Sequence, residues 1–522
     1  MQARNFREIS GLTWRSELEK EDFLYLGLAM EAISEADIRV RIGRDNPWWA
    51  TADYTAIEAT HPRRVYFPSF KSAVLNFDVK RAVVLLGPRR VGKTFMLKQL
   101  IHEAIETGID RRAILYAGID APIYSGISLE QFLDFMPPLP KNAKKLVVFD
   151  EIQYLREWER HLKDLIDNYP NIKFVASGSA AAALLLKSRE SGAGRFSDFM
   201  LPPLTFYEFL NFLGEAEKYI GVPSTEEERQ NATAGRYFIR DVRLLNSRFI
   251  DYLNYGGYPE AVLNEDIRKN PEQFIKNDII DKVLLKDLPS LYGINQIQEL
   301  NRLFSFLAYN TGNEASLENI AQESGITKPT IKRYIEYLES AFLIMKLPMI
   351  DDNCRTMKRA RNFKIYLNNP SMRAALFAPV KPEDSDKIGH LAESAIFSQW
   401  QHSPRFRDLR YARWRNEGEV DVVMLGPNQK PLWIGEIKWS DRIDRNPYDE
   451  MRSMQLLAKK HKTIKTAFFT SRTAEKILPL DGLAVRIIPS AAYCYTVGRN
   501  VTRALETMGG MPQPGLAEVK AA

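Results

Sequence analysis

The chain is poor in cysteine, with only Cys354 and Cys494 among 522 residues. They lie far apart in unlike surroundings, so neither a disulfide framework nor a zinc-knuckle spacing can be built, and a reducing compartment is expected. Long apolar runs are also missing: 180-AAAALLL-186 is far shorter than the ~18 residues of a membrane-crossing helix. The opening residues MQARNFREIS contain no apolar core of a secretion signal. These absences exclude a membrane partner and give a cytoplasmic protein as the expectation. No internal repeat or low-complexity tract occurs. Excess charge of one sign is lacking too: Lys+Arg 72 against Asp+Glu 66 leaves +6, which permits contact with an acidic polymer without demanding it. What is present, 45% hydrophobic residues and 11% aromatics, is enough for several cores in three or four domains.

Residues 1–64 carry helical periodicity (EDFLYLGLAMEAI) followed by 45-DNPWW-49, and read as a lead-in packed on the next domain through its tryptophans. From 65 to 203 the short apolar runs AVVLL, AILYAGI, KLVVFD, KFVASGS and DFMLPPL alternate with helical patterns, which predicts α/β architecture with a parallel sheet covered on both faces. A helical extension is expected over 204–300, interrupted by 256-GGYP-259. A helix-turn-helix module follows over 301–360, then a second run of strands over 361–500. The Gly-, Pro- and Ala-rich residues 501–522 read as a flexible tail.

Between the first strand and the amphipathic stretch FMLKQLIHEAI lies 87-GPRRVGKT-94, a G-x-x-x-x-G-K-T phosphate-binding loop. In such a loop the backbone amides and the positive helix end cradle phosphates. The candidate nucleotide ligands are therefore Gly87, Pro88, Arg89, Arg90, Val91, Gly92, Lys93 and Thr94. Gly87 and Gly92 allow the tight backbone, Lys93 reaches the β- and γ-phosphates, and Thr94 offers its hydroxyl to Mg²⁺. Arg89 and Arg90 raise the local positive potential or salt-bridge neighbouring segments. The strand 145-KLVVFDE-151 ends in two acids, of which Asp150 is expected to hold magnesium and Glu151 to polarise the attacking water. In 173-KFVASGS-179, Ser177 and Ser179 are candidate polar sensors. Arg195 in 192-GAGRF-196 either neutralises transition-state charge, in cis or across a subunit boundary, or is a surface arginine. ATP and Mg²⁺ are the expected cofactors, and the paired Asp-Glu suits hydrolysis better than transfer to a small acceptor.

The ordered set GPRRVGKT, FDEIQ, ASGS, the GR before PLTFYEFL, and YGGYPE resembles a large prokaryotic family of AAA-type, STAND-like ATPases with a C-terminal domain of unassigned function. The likeness covers nearly the whole chain after about residue 65. It implies an ATP-binding P-loop NTPase core, a winged helix, and a C-terminal α/β domain similar to PD-(D/E)XK nucleases.

The segment SLENIAQESGITKPTIKRYIEYLESAFLI places Leu317, Ile320 and Ala321 on one helix, a turn at Gly325, and Ile331, Ile335 and Leu338 on a second, the spacing of a helix-turn-helix. Lys328, Thr330, Lys332 and Arg333 are expected to face outward. Residues 327–364 hold nine Lys/Arg against four Asp/Glu, which favours phosphate contact, DNA or RNA undetermined. A connector with a solvated basic face, contacting protein, is the other reading.

The runs 419-EVDVVML-425 and 433-WIGEIKW-439, on either side of GPNQKP, read as a hairpin in which paired residue numbers sum to 857. Asp421 then faces Glu436, Lys438 faces Glu419, and period two puts all four on one face. Two facing carboxylates repel unless a cation sits between them. The arrangement D-x₁₄-E-x-K is similar to the PD-(D/E)XK pattern, with Val420 in place of its proline. That pattern assigns Glu393, Asp421 and Glu436 to a metal and Lys438 to water activation for phosphodiester cleavage. The resulting reading is an ATPase that couples nucleotide state to a nucleic-acid-binding, Mg-dependent nuclease-like domain, with a homo-oligomer or a protein partner open. Its rival is an ATP-dependent switch built on a decayed nuclease fold.

Overall fold

The computed structural model describes residues 34–51, 54–140, 143–178, 194–221, 237–355, 362–414 and 418–508. Helix α1 (Glu35–Asp45) starts from a capping box formed by Ser34 and Asp37. After it, the Trp48 and Trp49 indoles both donate to the Ile114 carbonyl, at 3.0 and 2.8 Å. The tryptophans therefore pack, as expected, against the start of a core strand. Helix α2 (Phe67–Leu75) leads into β1 (Ala82–Leu86) and α3 (Lys93–Glu106). Next come β2 (Ile114–Gly118), β3 (Lys145–Asp150), α4 (Trp158–Asn168), β4 (Ile172–Gly178) and β5 (Phe196–Met200). All five strands are parallel in the order β2-β3-β4-β1-β5. Val83, Leu85, Val148 and Val175 face one apolar cluster, while Ala82, Val84, Leu86, Phe149 and Phe174 face another. Burial on both faces is why these strands read as unbroken apolar runs.

Helix α5 (Phe206–Phe212), capped by Thr205 and Glu208, opens the helical extension. The short pair β6 (Ile220–Gly221) and β7 (Phe238–Ile239) precedes α6 (Val242–Tyr255). Two consecutive stretches, Lys276–Asp281 and Val283–Asp287, are wound as π-helix, a rare winding that is frequent at functional sites. They continue into α7 (Leu288–Tyr292) and α8 (Ile297–Tyr309).

The next elements are β8 (Glu314–Ser316), α9 (Leu317–Ser324), α10 (Lys328–Ser340), β9 (Ile344–Ile350) and β10 (Asn362–Leu367). Gly325 turns between α9 and α10 at φ 73°, a conformation that favours glycine. Ile320, Ile331, Ile335 and Leu338 are buried, and Lys328, Lys332 and Arg333 are exposed. The chain then forms α11 (Ser385–Trp400), β11 (Leu409–Trp414), β12 (Gly418–Leu425), β13 (Pro431–Glu436), α12 (Arg452–Lys460), β14 (Thr466–Ser471), β15 (Lys476–Leu480), β16 (Leu483–Pro489) and α13 (Ser490–Met508).

Strands β8 to β16 make one nine-stranded sheet in the order β15-β16-β14-β13-β12-β11-β9-β10-β8. The seam between the helix-turn-helix strands and the rest is the parallel pairing of β9 with β11, Tyr411 beside Met349. The domain boundary expected at 360/361 therefore falls inside the antiparallel pair β9–β10, because the apolar strand that begins near 362 completes the earlier module. The expected tail at 501 also needs correction. Helix α13 runs into it as far as Met508, with Val501 and Leu505 buried in the core that includes Phe67, Phe70 and Val83, and Ser69 Oγ donating to the Leu505 carbonyl at 3.3 Å.

Candidate functional site

The loop 87–94 joins β1 to α3 at the carboxyl ends of the parallel strands, where α/β sheets place ligands. Gly87 is required by close approach: a Cβ there would lie 2.2 Å from the Leu201 carbonyl oxygen. Gly92 and Arg90 take φ of 94° and 64°, so the loop curls its backbone around a concave space. Lys93 is 4% exposed, and its ammonium donates to the Gly87 and Pro88 carbonyls, at 3.2 and 3.0 Å. Burial lowers its pKa, against the opposing fields of Glu151 and Asp150. Among the described residues no carboxylate pairs with this buried cation, which is the electrostatic condition for receiving an anionic phosphate.

Asp150 ends β3 and accepts from three hydroxyls: Thr94 Oγ1 at 2.7 Å, Tyr116 at 2.8 Å, and Ser177. Glu151 follows at φ 54°, its amide donating to Ser177 Oγ at 3.1 Å. The three strand ends thus bring Thr94, Asp150, Glu151 and Ser177 together. Ser179 lies outside the described residues. The Thr94 hydroxyl and Asp150 carboxylate, adjacent and beside the loop, fit a Mg²⁺ that arrives with a nucleotide. A cleft of about 740 Å³ opens in front, lined by His61, Arg89, Arg90, Lys93, Glu151 and Lys282 among others.

Both loop arginines are paired with acids from the helical extension. Arg89 makes a fork to Asp287 at 2.6 and 2.7 Å, at the end of the π-wound stretch. Arg90 reaches Glu260 at 2.8 Å and Asp278 at 3.0 Å. Arg195 does not join them. It precedes β5, its carbonyl accepts from Ala82 N, and its guanidinium pairs with Asp167. A parallel sheet puts strand starts at one end, so Arg195 is separated from the loop by the length of β1, roughly 16 Å at ~3.3 Å per residue. In this arrangement its guanidinium is turned to Asp167 and away from the loop of its own chain.

Three residues at this site escaped the motif reading: Tyr116, Asp287 and Arg64. Arg64 is 4% exposed, pairs with Glu208 at 2.8 Å, and donates to the loop carbonyl of Val91 at 2.7 Å.

In the C-terminal sheet β12 and β13 pair as Val422–Gly435, Val423–Ile434 and Met424–Trp433, each summing to 857, with a bulge next to the turn. Asp421 and Glu436 are accordingly neighbours, 4% and 5% exposed. Lys438 departs from the expected register. The Asp421 carboxylate accepts the Ile437 amide at 2.9 Å and the Lys438 amide turns to Thr470 Oγ1 at 2.9 Å, which ends the ladder at Glu436. The Lys438 ammonium then spans Asp421 at 3.0 Å and Glu436 at 3.2 Å. Glu419 faces Arg413 and Lys364 instead, at 3.5 and 2.7 Å. Glu393 on α11 accepts from Tyr366 at 3.0 Å; burial and the Asp421 charge push its pKa up to about 7. Burial would lower Lys364, but Asp421, Glu393 and Glu419 together raise it above the ordinary lysine range. Among the described residues no three His, Cys, Asp or Glu side chains converge to hold a metal. The expected trio Glu393, Asp421 and Glu436 does not fit a metal in this arrangement, because the Lys438 ammonium bridges Asp421 and Glu436 and Lys364 lies against the other oxygen of Asp421.

Residues 79–210 match the family described as an AAA domain. This AAA-type P-loop assignment agrees with the loop, the two acids and the strand order above. Residues 246–384 match a domain of unknown function, DUF8612, whose span runs through the β9–β10 hairpin. Two uncharacterized proteins of Methanocaldococcus jannaschii are similar: one is 26% identical over 379 residues, covering 70% of this chain and 78% of its own length. The other is 26% identical over 370 residues, covering 68% and 75%. An uncharacterized protein of Haemophilus influenzae is 26% identical over 278 residues, 51% of this chain and 62% of that protein. Among solved structures, AMPPCP-bound DnaA from Aquifex aeolicus aligns with 56% of this chain and 92% of its own, at 15% identity and a TM-score of 0.24. Cdc6p from Pyrobaculum aerophilum aligns with 64% and 97%, at 12% identity and 0.26. Among the described residues no helix is long and apolar enough to cross a membrane.

Proposed function

We propose that the chain is an ATP-hydrolysing AAA-type switch whose nucleotide state is passed to a winged-helix nucleic-acid-binding module joined to a PD-(D/E)XK-like sheet. The observation that carries this reading is the pairing of the loop arginines with acids of the helical extension. A triphosphate in the loop competes with Asp287, Glu260 and Asp278 for Arg89 and Arg90, since phosphate oxygens and carboxylates take the same bidentate donors. Thr94 and Asp150 would hold a Mg²⁺, which would supply charge neutralisation at the phosphates. Loss of the Arg89–Asp287 fork is felt directly in α7, which begins at the next residue. Tyr292 at the other end of α7 stacks on Tyr337 of α10, with ring centroids 3.8 Å apart and an interplanar angle of 12°. Helix α10 is the helix that presents Lys328, Lys332 and Arg333 to solvent.

The helix order α8, α9, α10 with strands β8, β9 and β10 supports the winged-helix reading, and α11, β11, β12, β13, α12, β14 support the nuclease-like one. With Lys438 engaged between two acids, this resting arrangement favours binding over phosphodiester cleavage.

Lys93→Ala is expected to weaken ATP binding by roughly one to two orders of magnitude, from the ~1.5–3 kcal/mol of a hydrogen bond to a charged group. Fluorescent-nucleotide titration measures it, and unchanged affinity removes the loop from the account. Lys332→Ala/Arg333→Ala is expected to lower the slope of log affinity against log salt by about one for each phosphate no longer neutralised, for DNA or RNA. If wild-type binding shows no salt dependence, α10 serves a protein partner instead.

A further inference from the structure

The acid cluster of the C-terminal sheet contains a cation that no sequence pattern assigns to it. Lys364 lies on β10, is 5% exposed, and enters the cluster from the helix-turn-helix side of the nine-stranded sheet. Its ammonium is 2.7 Å from Glu419 Oε1 and 3.7 Å from Asp421 Oδ1, and 5.3 Å from the centre of the Tyr411 ring. Asp421 is thereby occupied on both oxygens: Oδ1 faces Lys364, and Oδ2 accepts from Lys438 and from the Ile437 amide. Two residues further along β10, on the same face by the period of a strand, Tyr366 donates to Glu393 Oε2. One strand therefore engages two of the three acids that a metal would need, and the four carboxylates Glu393, Glu419, Asp421 and Glu436 are opposed by Lys364 and Lys438, with Arg413 at the edge.

We propose that Lys364 is an internal counter-ion that closes this cluster to divalent cations while β10 is docked. Two ammonium groups supply the positive charge that a metal would otherwise bring, and a dication placed beside them is repelled at a few ångströms in a poorly screened interior. These cations offset part of the acids' charge, which eases their burial. Because β10 is also a strand of the helix-turn-helix hairpin, the cluster opens only if that strand shifts, so the lock connects the two modules. This inference is independent of the ATPase reading and can fail without it.

The test is Mn²⁺ binding to the nucleotide-free, full-length protein, followed by electron paramagnetic resonance of free Mn²⁺. Wild type and Asp421→Asn are expected to give the same Mn²⁺ isotherm, and Lys364→Arg to behave like wild type. Lys364→Met is expected to gain one site per chain, bound at least tenfold more tightly than any wild-type site, and Lys364→Met/Asp421→Asn to lose it. A bound Mn²⁺ in wild type that Asp421→Asn removes overturns the proposal, as does a Lys364→Met protein with intact nucleotide binding and no added site. If Lys364→Met fails to fold, the comparison of wild type with Asp421→Asn decides on its own.

Discussion

Glu151→Gln is expected to bind ATP with affinity of the same order as wild type and to hydrolyse it about 10²–10⁴-fold more slowly, the range for loss of a positioned general base. Glu151 lines the loop cleft, immediately after the end of β3. Its backbone is held in a left-handed conformation by hydrogen bonds from its amide to Ser177 Oγ and Asp150 Oδ1. Those bonds belong to the main chain, and the Glu151 carboxylate's acceptance from Gln153 Nε2 can be kept by the amide oxygen, so the substitution leaves the backbone geometry in place while removing the negative charge that polarises water. Single-turnover hydrolysis separates the two steps: normal turnover by Glu151→Gln would show that another group activates water. Asp150→Asn is a different experiment, since Asp150 anchors Thr94, Tyr116 and Ser177 and its loss disturbs the frame itself.

The second large effect concerns stability. Glu208→Ala strips the carboxylate partner from Arg64, leaving a guanidinium that is 4% exposed and, among the described residues, hydrogen-bonded to the Val91 and Pro202 carbonyls alone. Breaking a buried pair by removing one side costs about 3–5 kcal/mol. Glu208 also accepts from the Thr205 and Val65 amides, so α5 loses half of its capping box as well. Urea unfolding followed by tryptophan fluorescence is expected to show the loss in its first transition, and nucleotide affinity is expected to fall because Arg64 fixes the loop at Val91. Replacing both partners, Arg64→Met/Glu208→Leu, is expected to recover more than half of the stability, since two apolar groups leave no orphan charge. If the double variant is as unstable as the single one, the hydrogen bond to the loop rather than the charge dominates.

Acid lowers stability through the same network. Burial would raise Glu208, but the Arg64 charge holds it below the ordinary glutamate range. Its contribution is thus complete above the unfolded-state pKa and lost as pH falls through the folded one. His402, which shares a 2.7 Å hydrogen bond with the Tyr66 hydroxyl, is lowered to about 4 by burial against the attraction of Glu208. Between pH 6.5 and about 4 the unfolded chain binds this proton and the folded one does not, so stability falls across that window. The urea midpoint measured from about pH 7 to about pH 4 checks the sign.

Local signals in the sequence reach the strands, the phosphate loop, the two acids and the β12–β13 register, because each depends on periodicity or on spacing within one or two elements. Partners far apart along the chain leave no such trace. Arg64 meets Glu208 across 144 residues and Arg89 meets Asp287 across 198. Lys364 reads as one more basic residue of a solvated run until the sheet turns it inward. Arg195 shows the converse error. Its position just before a strand is correctly read, but a parallel sheet makes that end the one remote from phosphate. Lys438 is displaced by a detail of the same kind, a ladder that stops two residues early because a carboxylate takes the next amide.

The parallel pairing of β9 with β11 carries a practical consequence for dissecting the molecule. A fragment beginning at residue 361 would carry β10 without its neighbours β8 and β9, exposing open strand edges that invite association with other chains. One beginning near Ile297 keeps every ladder of the nine-stranded sheet intact, but it strips from α11 and α13 the core they share with Phe206, Phe249 and Tyr252, so the strands are separable at that point and the helices are not.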